Sequence, residues 1–394
     1  MLRIVHIYKD YFPVLGGIEN HIRQLAEAQV QRGQHVDVLV TSPSPTRIAE
    51  TLNGVRVTKA PRHLNVQSAP VSAAFPRDVA RLTDGADIAH LHAPYPVGEA
   101  CNLWFGRAKR TVITWHSDVV RQKALLRFYA PVLRRVIASA DAIIPTSEPY
   151  ARTSPWLRDH LDKCRVVPLG ISVSRFDPDG AERSDRRDAL RRRLLAAVRT
   201  TSAEPLVLLS VGRLRYYKGL DDLIRAMPDL PDAVAVIVGA GPMEAEWKAL
   251  AQRLGVAGRV IFAGEVNDDE LPAYYHAADI YVIPANARAE AFGIAILEAM
   301  ASGLPVISTE VGTATSWINQ HGATGLVIPP RDPRAIVQAV RTLHDAELRR
   351  KMGTAARRRV QAEFTLERMV ARIEEVYREV LAVPKTAGRF GDSG

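Results

Sequence analysis

"IYVIPANARAEAFGIAILEAMASGLPVIS", residues 280–308, holds a strand, a loop, a helix and a second strand in succession. "IYVI" has the composition of a strand buried on both faces, and it stops at Pro284. A polar loop follows, after which apolar residues recur at helical spacing, predicting a helix that starts at Phe292 and ends before the stop at Gly303. "PVIS" then returns to strand composition. Two buried strands joined through a helix form a parallel βαβ unit, because parallel neighbours need a crossover of a dozen or more residues.

The same alternation runs outward in both directions. "LVLLSVG", "VAVIVGA" and "RVIFAG" precede this stretch and "GLVIPP" follows it, predicting a parallel sheet over residues 200–365. Nearer the start, "LRIVHIY" (2–8) leads through a loop into the helical "IENHIRQLAEAQVQRG" (18–33). "HVDVLVT", "GVRVTKA", "IAHLHA", "TVITWHS", "AIIPTS" and "CRVVPLG" then read as the strands of another parallel sheet over residues 1–180. Between them, "FDPDG" falls at the interdomain linker and opens a polar, arginine-rich stretch to about residue 204, in which "RSDRRDALRRRLLAAVR" (183–199) reads as a solvated helix face rather than a binding patch. At 394 residues the chain exceeds the size of one core, so two doubly wound α/β domains are expected. "LERMVARIEEVYREVLA" (366–382) is an amphipathic helix, and residues 383–394 have the composition of a loose tail.

A hydrophobic fraction of 47% with 24% charged residues is that of a soluble globular protein. No apolar run is long enough to span a membrane, and the start lacks the apolar core of a signal peptide, so a cytoplasmic location is expected. Cys101 and Cys164 lack metal-ligand spacing and read as buried thiols. The net charge of +9 suggests an anionic partner. "RQKALLRFYAPVLRRVI" (121–137) interleaves Leu125, Leu126, Phe128, Leu133 and Val136 with Arg121, Lys123, Arg127, Arg134 and Arg135, so it could lie on an anionic membrane. Packing on its own domain is the alternative, and Pro131 is expected to break the segment into short pieces. Neither an RNA-recognition motif nor a helix-turn-helix pattern is present, so nucleic acid is not the expected partner.

The chemistry-bearing residues cluster around strand ends. Glu290 falls in the loop and Glu298 in the helix of the opening stretch, and eight helical residues rise about 12 Å. That separation does not suit a paired acid and base; it suits the two ends of one extended ligand. Between them the amides of Phe292, Gly293 and Ile294, next to Ala291, lie at a helix start that favours a phosphate. Together these groups match a nucleoside diphosphate sugar. In "SVGRLRYYKGL" (210–220), Arg213 and Lys218 follow a strand and could hold the diphosphate. In "FPVLGGIENH" (12–21), Gly16 and Gly17 would let backbone amides approach a phosphate, or simply make a tight turn. "TVITWHSD" delivers His116 and Asp118 to a strand end, where a histidine can contact sugar hydroxyls, although a lone histidine is more often structural. "VIVGAGPMEAE" (236–246) lacks the third glycine of a dinucleotide fingerprint, and the Asp177–Asp179 pair reads as a turn, so no metal is required.

These residues together resemble the retaining glycosyltransferases of family 4, whose GT-B fold sets two Rossmann-like domains facing each other across a cleft. The E-x7-E element Glu290 to Glu298 is the most specific part, joined by Gly16–Gly17, His116, Arg213 and Lys218. The resemblance implies that Glu290 contacts donor-sugar hydroxyls, Glu298 the nucleotide ribose, Arg213 and Lys218 the diphosphate, and His116 the sugar near the reacting centre. It also implies that the helix 366–382 docks back on the first domain. Within the family the chain is most similar to bacterial mannosyltransferases acting on polyprenyl-diphosphate-linked oligosaccharides. The expected donor is then GDP-mannose, with UDP-sugars as competitors and no cofactor, and the expected acceptor is a glycan or polyprenyl-linked sugar at the inner face of the membrane. A synthase acting on a small soluble acceptor, and a binding protein without catalysis, are the other readings.

Overall fold

Apolar runs in the first half of the chain become strands, most of them paired in parallel, as their two-sided hydrophobicity dictates. In order these are β1 (Arg3–Ile7), β2 (His35–Thr41), β3 (Ile48–Leu52), β4 (Val55–Ala60), β5 (Leu64–Val66), β6 (Ala69–Val71), β7 (Ile88–Ala93), β8 (Arg110–Trp115) and β9 (Ala142–Pro145). Seven of them form one sheet in the order β3-β4-β2-β1-β7-β8-β9. All its pairings are parallel except β3 with β4, an edge hairpin turned by Asn53 and Gly54, both at positive φ. The strand order reverses between β1 and β7, so the loops after these two strands diverge and leave a crevice at their carboxyl ends.

The second half repeats the design with β10 (Leu206–Val211), β11 (Ala233–Val238), β12 (Val260–Gly264), β13 (Ile280–Ile283), β14 (Val306–Thr309) and β15 (Gly325–Ile328). Its six-stranded, wholly parallel sheet runs β12-β11-β10-β13-β14-β15, with the reversal between β10 and β13. One face packs in a core containing Leu208, Ile237, Val282, Leu223 and Trp247. This computed structural model describes residues 1–384 except 15, 67–68, 119–122, 180, 197, 199 and 201. The chain divides into one unit of Met1–Thr146, Ser154–Pro168 and the end of the chain from Glu367, and another of Ser147–Thr153 and Leu169–Leu366.

Several elements differ from their sequence reading. "CRVVPLG" runs beside β9 without becoming a regular strand: Cys164 bridges to Ile143, and the amides of Arg165 and Val167 donate to the Ile143 and Pro145 carbonyls at 2.8 and 3.2 Å. Residues 181–196 form a helix, as read, but it lies within the second unit rather than between the domains: Leu190 and Leu194 are buried and Arg191 meets Asp279 at 2.9 Å. Pro131 sits inside one continuous helix, Lys123–Ser139, because Leu133, Val136 and Ile137 are buried along one side and packing outweighs the lost N–H bond. The part of that segment at 121–122, and the tail from 385, lie outside the described residues. The last helix, Leu366–Ala382, buries Met369, Val370, Ile373, Val376, Tyr377 and Val380 in the first unit. There Glu374 pairs with Arg32 at 2.9 Å. Among the described residues no helix is long and apolar enough to cross a membrane.

Candidate active site

In the second unit the loops after β10 and β13, the two strands flanking the reversal, are bonded together. Asn286 donates from its backbone to the Tyr217 carbonyl at 2.9 Å and from its side chain to that of Tyr216 at 3.2 Å. Gly219 makes the contact possible: its φ is 63°, and a Cβ there would lie 2.0 Å from the Pro284 carbonyl oxygen. This docking brings Lys218 to Glu290, Nζ to Oε2 at 2.9 Å, with only 14% and 8% of the two side chains exposed. Burial would discharge the ammonium. The Glu290 carboxylate, with help from Tyr217 and Glu298, outweighs it and lifts the lysine pKa above its ordinary value, so Lys218 is a fixed cation.

Glu290 is held from behind, its carbonyl accepting from the Thr313 hydroxyl at 2.8 Å. The helix beyond it runs Ile294–Ala301, two residues later than the sequence suggested. Gly293 stands outside it as N-cap with φ 80°, a left-handed turn that Phe292 could not extend as helix. The amides left free at the helix start are therefore those of Ile294 and Ala295, while Ala291 and Phe292 are buried below. Glu298, on the same helix, accepts from the Tyr275 hydroxyl at 2.6 Å. Burial pushes its pKa up to about 7, against the lowering effect of that hydrogen bond. Burial raises the Tyr281 hydroxyl pKa well above its ordinary value, and the nearby charges of Glu290 and Glu298 add to the shift. Arg213 is exposed on the same loop as Lys218 and, with it, acts on Tyr217. Arg213, Lys218, Glu290, Gly293 and Glu298 thus gather at one switch point.

The other expected residues lie in the first unit. Gly16 precedes the helix Gly17–Gln31, and a Cβ on it would fall 2.2 Å from Glu19 Oε2, so its missing side chain makes room for an acid of its own helix; a Cβ on Gly17 would meet nothing within 4 Å. His116 follows β8, its ring 5.0 Å from that of His21 in the same helix. Asp118 is taken up locally, accepting from Trp115 Nε1 at 3.1 Å and from the Ser154 hydroxyl at 2.7 Å. His116 is not a lone histidine. Its Nε2 meets His92 Nδ1 at 3.1 Å, and His92 Nε2 meets His6 Nδ1 at 3.0 Å. His90 completes a wholly buried group. Sequence reading missed these companions, yet "IVHIY" and "IAHLHA" carried the signal, since a polar residue inside a two-sided apolar strand must find a buried partner.

The glycines of 236–246 and the Asp177–Asp179 pair have structural roles. A Cβ at Gly239 or Gly241 would strike the carbonyl of Gly212 or Leu214, so those glycines admit a neighbouring loop. Asp177 and Asp179 both pair with Arg357, at 2.6 and 3.0 Å.

Two Rossmann-like units, each with a strand-order reversal, and a basic–acidic cluster at the second reversal define the GT-B class of sugar-transferring enzymes. The glycosyl transferases group 1 family matches residues 194–359 and glycosyltransferase family 4 matches residues 15–175; the chain belongs to these glycosyltransferases. It is 35% identical over 382 residues to the O-antigen chain mannosyltransferase C of Escherichia coli, covering 96% of this chain and 99% of that protein. The D-rhamnosyltransferase WbpZ of Pseudomonas aeruginosa is 38% identical over 367 residues, covering 92% of each. Among solved structures, the sucrose-phosphate synthase of Thermosynechococcus elongatus superimposes with a TM-score of 0.80 at 26% identity, covering 97% of this chain and all of that one.

Proposed function

We propose that this protein is a retaining hexosyltransferase that moves mannose from GDP-mannose onto a glycan or polyprenyl-linked sugar during cell-surface polysaccharide assembly. The observation that carries the reading is the buried Lys218–Glu290 pair at the β10/β13 reversal, beside the free amides of Ile294 and Ala295. Breaking the anomeric C–O bond loads negative charge on the departing diphosphate. Lys218, Arg213 and those amides are cationic or hydrogen-donating groups placed to meet it, and they supply the charge that a divalent metal supplies in other transferases. Glu290 anchors Lys218 and offers its second oxygen to the donor sugar. Glu298 serves the ribose hydroxyls and His116 the sugar near the reacting carbon. The acceptor hydroxyl attacks the face the diphosphate leaves, and the leaving oxygen takes its proton, so the configuration at the anomeric carbon is retained.

Mannose is favoured because the two similar bacterial enzymes are named for mannose and for D-rhamnose, its 6-deoxy form. GDP is the nucleotide on which mannose is usually activated. A lipid-linked acceptor is favoured by the helix 123–139 and its neighbour 96–105: Phe128 is 80% exposed, Trp104 59% and Phe105 46%, with Arg127, Arg134 and Arg135 in water beside Phe128. These side chains would rest on the anionic inner face of the membrane. Likeness to sucrose-phosphate synthase favours a second reading, transfer to a small phosphorylated acceptor.

Thermal unfolding of the protein with GDP, UDP and ADP, followed by the matching sugar nucleotides, tests the donor. GDP and GDP-mannose should raise the midpoint most. Transfer from GDP-mannose to a polyprenyl-diphosphate-linked glycan in detergent, with the product anomer assigned by NMR, tests the rest. A midpoint raised only by UDP, or an inverted product, refutes the corresponding part of the reading.

A further inference from the structure

A chain of buried hydrogen bonds runs from His116 to the last helix of the first unit. His116 Nε2 to His92 Nδ1 is 3.1 Å, His92 Nε2 to His6 Nδ1 is 3.0 Å, and His6 Nε2 to Gln29 Oε1 is 2.8 Å. Gln29 Nε2 donates to the Tyr377 hydroxyl at 3.3 Å, that hydroxyl meets His90 Nδ1 at 2.5 Å, and His90 Nε2 meets Thr114 Oγ1 at 2.7 Å. Burial pulls the pKa of His6 down to about 4 and those of His90, His92 and His116 well below the ordinary histidine value. Each ring is therefore neutral, with one N–H and one lone pair, and each bond fixes the next.

The direction of the whole chain follows from one group. Imidazoles and hydroxyls reverse roles by moving protons, whereas the amide of Gln29 must turn over to do so. Its oxygen faces His6, so His6 Nε2 carries the proton and Nδ1 accepts. His92 then donates from Nε2 and accepts at Nδ1, and His116 donates from Nε2. On the other side, the amide nitrogen donates to the Tyr377 oxygen, which frees the tyrosine proton for His90 Nδ1. We infer that Gln29, its amide nitrogen bonded to Tyr377 and its oxygen acting through His6 and His92, holds His116 as the Nε2–H tautomer with the Nδ1 lone pair free for ligand.

His116 Nδ1 has no hydrogen-bond partner among the described residues. His21 stands edge-on to both His92 and His116, at 5.7 and 5.0 Å between ring centroids, and its buried Nε2 bonds to neither. It closes the cluster without competing for the shared protons. An accepting Nδ1 takes the hydrogen of a sugar hydroxyl and finds no bond at a phosphate or ring oxygen, which offer only lone pairs. His116 is thus a hydroxyl reader, and Gln29, Tyr377, His6 and His92 are positioning residues. The assignment of a sugar to His116 rests on the proposed function; its tautomer does not.

Long-range 1H–15N correlation of the 15N-histidine-labelled protein, with His116→Ala to identify its signals, reads the tautomer directly. Wild type should show His116 protonated at Nε2. Gln29→Leu and the nearly isosteric Tyr377→Phe should each give a mixture of tautomers, with the KM for GDP-mannose raised about five- to tenfold and the affinity for GDP unchanged. A wild-type His116 protonated at Nδ1, or a Tyr377→Phe protein with the Nε2–H form intact, overturns the inference. So does a stoichiometric transition metal in the purified protein, because His21, His92 and His116, and also His6, His90 and His92, bring ring nitrogens within 4.8 Å of one another, and a ligated nitrogen holds no proton. If His116→Ala transfers sugar normally while the tautomer is as stated, the functional reading of His116 fails and the network stands.

Discussion

Removing either partner of the Lys218–Glu290 pair should separate two jobs that the pair performs together. At 2.9 Å and an effective dielectric constant of about 20, the gross attraction is about 6 kcal/mol. Desolvation offsets most of that in the intact pair, but Lys218→Met leaves the Glu290 carboxylate buried with no cation, a loss of about 3–5 kcal/mol. In a unit of this size each kcal/mol moves the melting temperature about 2–4 °C, so the second unit should melt about 10 °C lower. Glu290→Gln should cost a similar amount by stranding the ammonium. The double variant Lys218→Met/Glu290→Gln, in which no buried charge is left alone, should recover at least half of the sum of the two losses. Activity should not recover with it. Loss of one preorganised group facing the leaving diphosphate lowers kcat about a hundredfold, and the double variant should stay there. The assays are calorimetric melting and single-turnover transfer from GDP-mannose. Additive stability losses would show that the two side chains are not coupled in a buried site, and turnover by Lys218→Met within tenfold of wild type would remove its leaving-group role.

Further outcomes can be checked with the same preparations. Gly219→Ala must adopt a left-handed backbone and push its Cβ more than about 1 Å away from the Pro284 oxygen, displacing Lys218 from Glu290; kcat/KM should fall about a hundredfold while the fold survives. Glu298 has a folded pKa of about 7, above its unfolded value near 4.3, so its stabilising contribution is complete below about pH 4.3 and is lost as pH rises through 7. Glu298→Gln should therefore melt with wild type at pH 4.5 and above it at pH 8, by about 1–3 kcal/mol; a constant difference across that range would refute the shift. The same glutamine should weaken GDP binding in calorimetry. Replacing Trp104 and Phe128 together by serine should abolish flotation with phosphatidylglycerol vesicles and leave GDP affinity unchanged; equal flotation would remove the membrane contact.

Strand positions were largely legible because buried parallel strands are apolar on both faces, as "LVLL" and "VAVIV" are, and few other elements are. The element at 164–170 was legible only in part: "RVVPL" has the composition, and the chain does bond to β9 through Arg165 and Val167, but the ladder stops there and no regular strand forms. The helix at 181–196 was legible as a polar, solvated helix face; its place in the second unit was not, since that rests on contacts such as Arg191 with Asp279, 88 residues away in sequence. Glu290 and Glu298 were legible from spacing on a loop and helix, and Lys218 from its place after a strand. Gln29, by contrast, occupies a core position of its helix, between apolar neighbours at Ile22, Leu25 and Ala26, and nothing local says what it bonds.

By itself the sequence determined the two runs of alternating strands and helices, the family, and the types of charged group that end up at strand ends, because these follow from local periodicity and short motifs. Only the tertiary structure decided that the β10 and β13 loops bond to each other, so that Lys218 is held by Glu290, and that five buried histidines in the first unit form one cluster. Both outcomes depend on strand order. A chain of residues does not state which strands become neighbours, and until they do, charges and imidazoles tens of residues apart have no distance between them and hence no interaction energy.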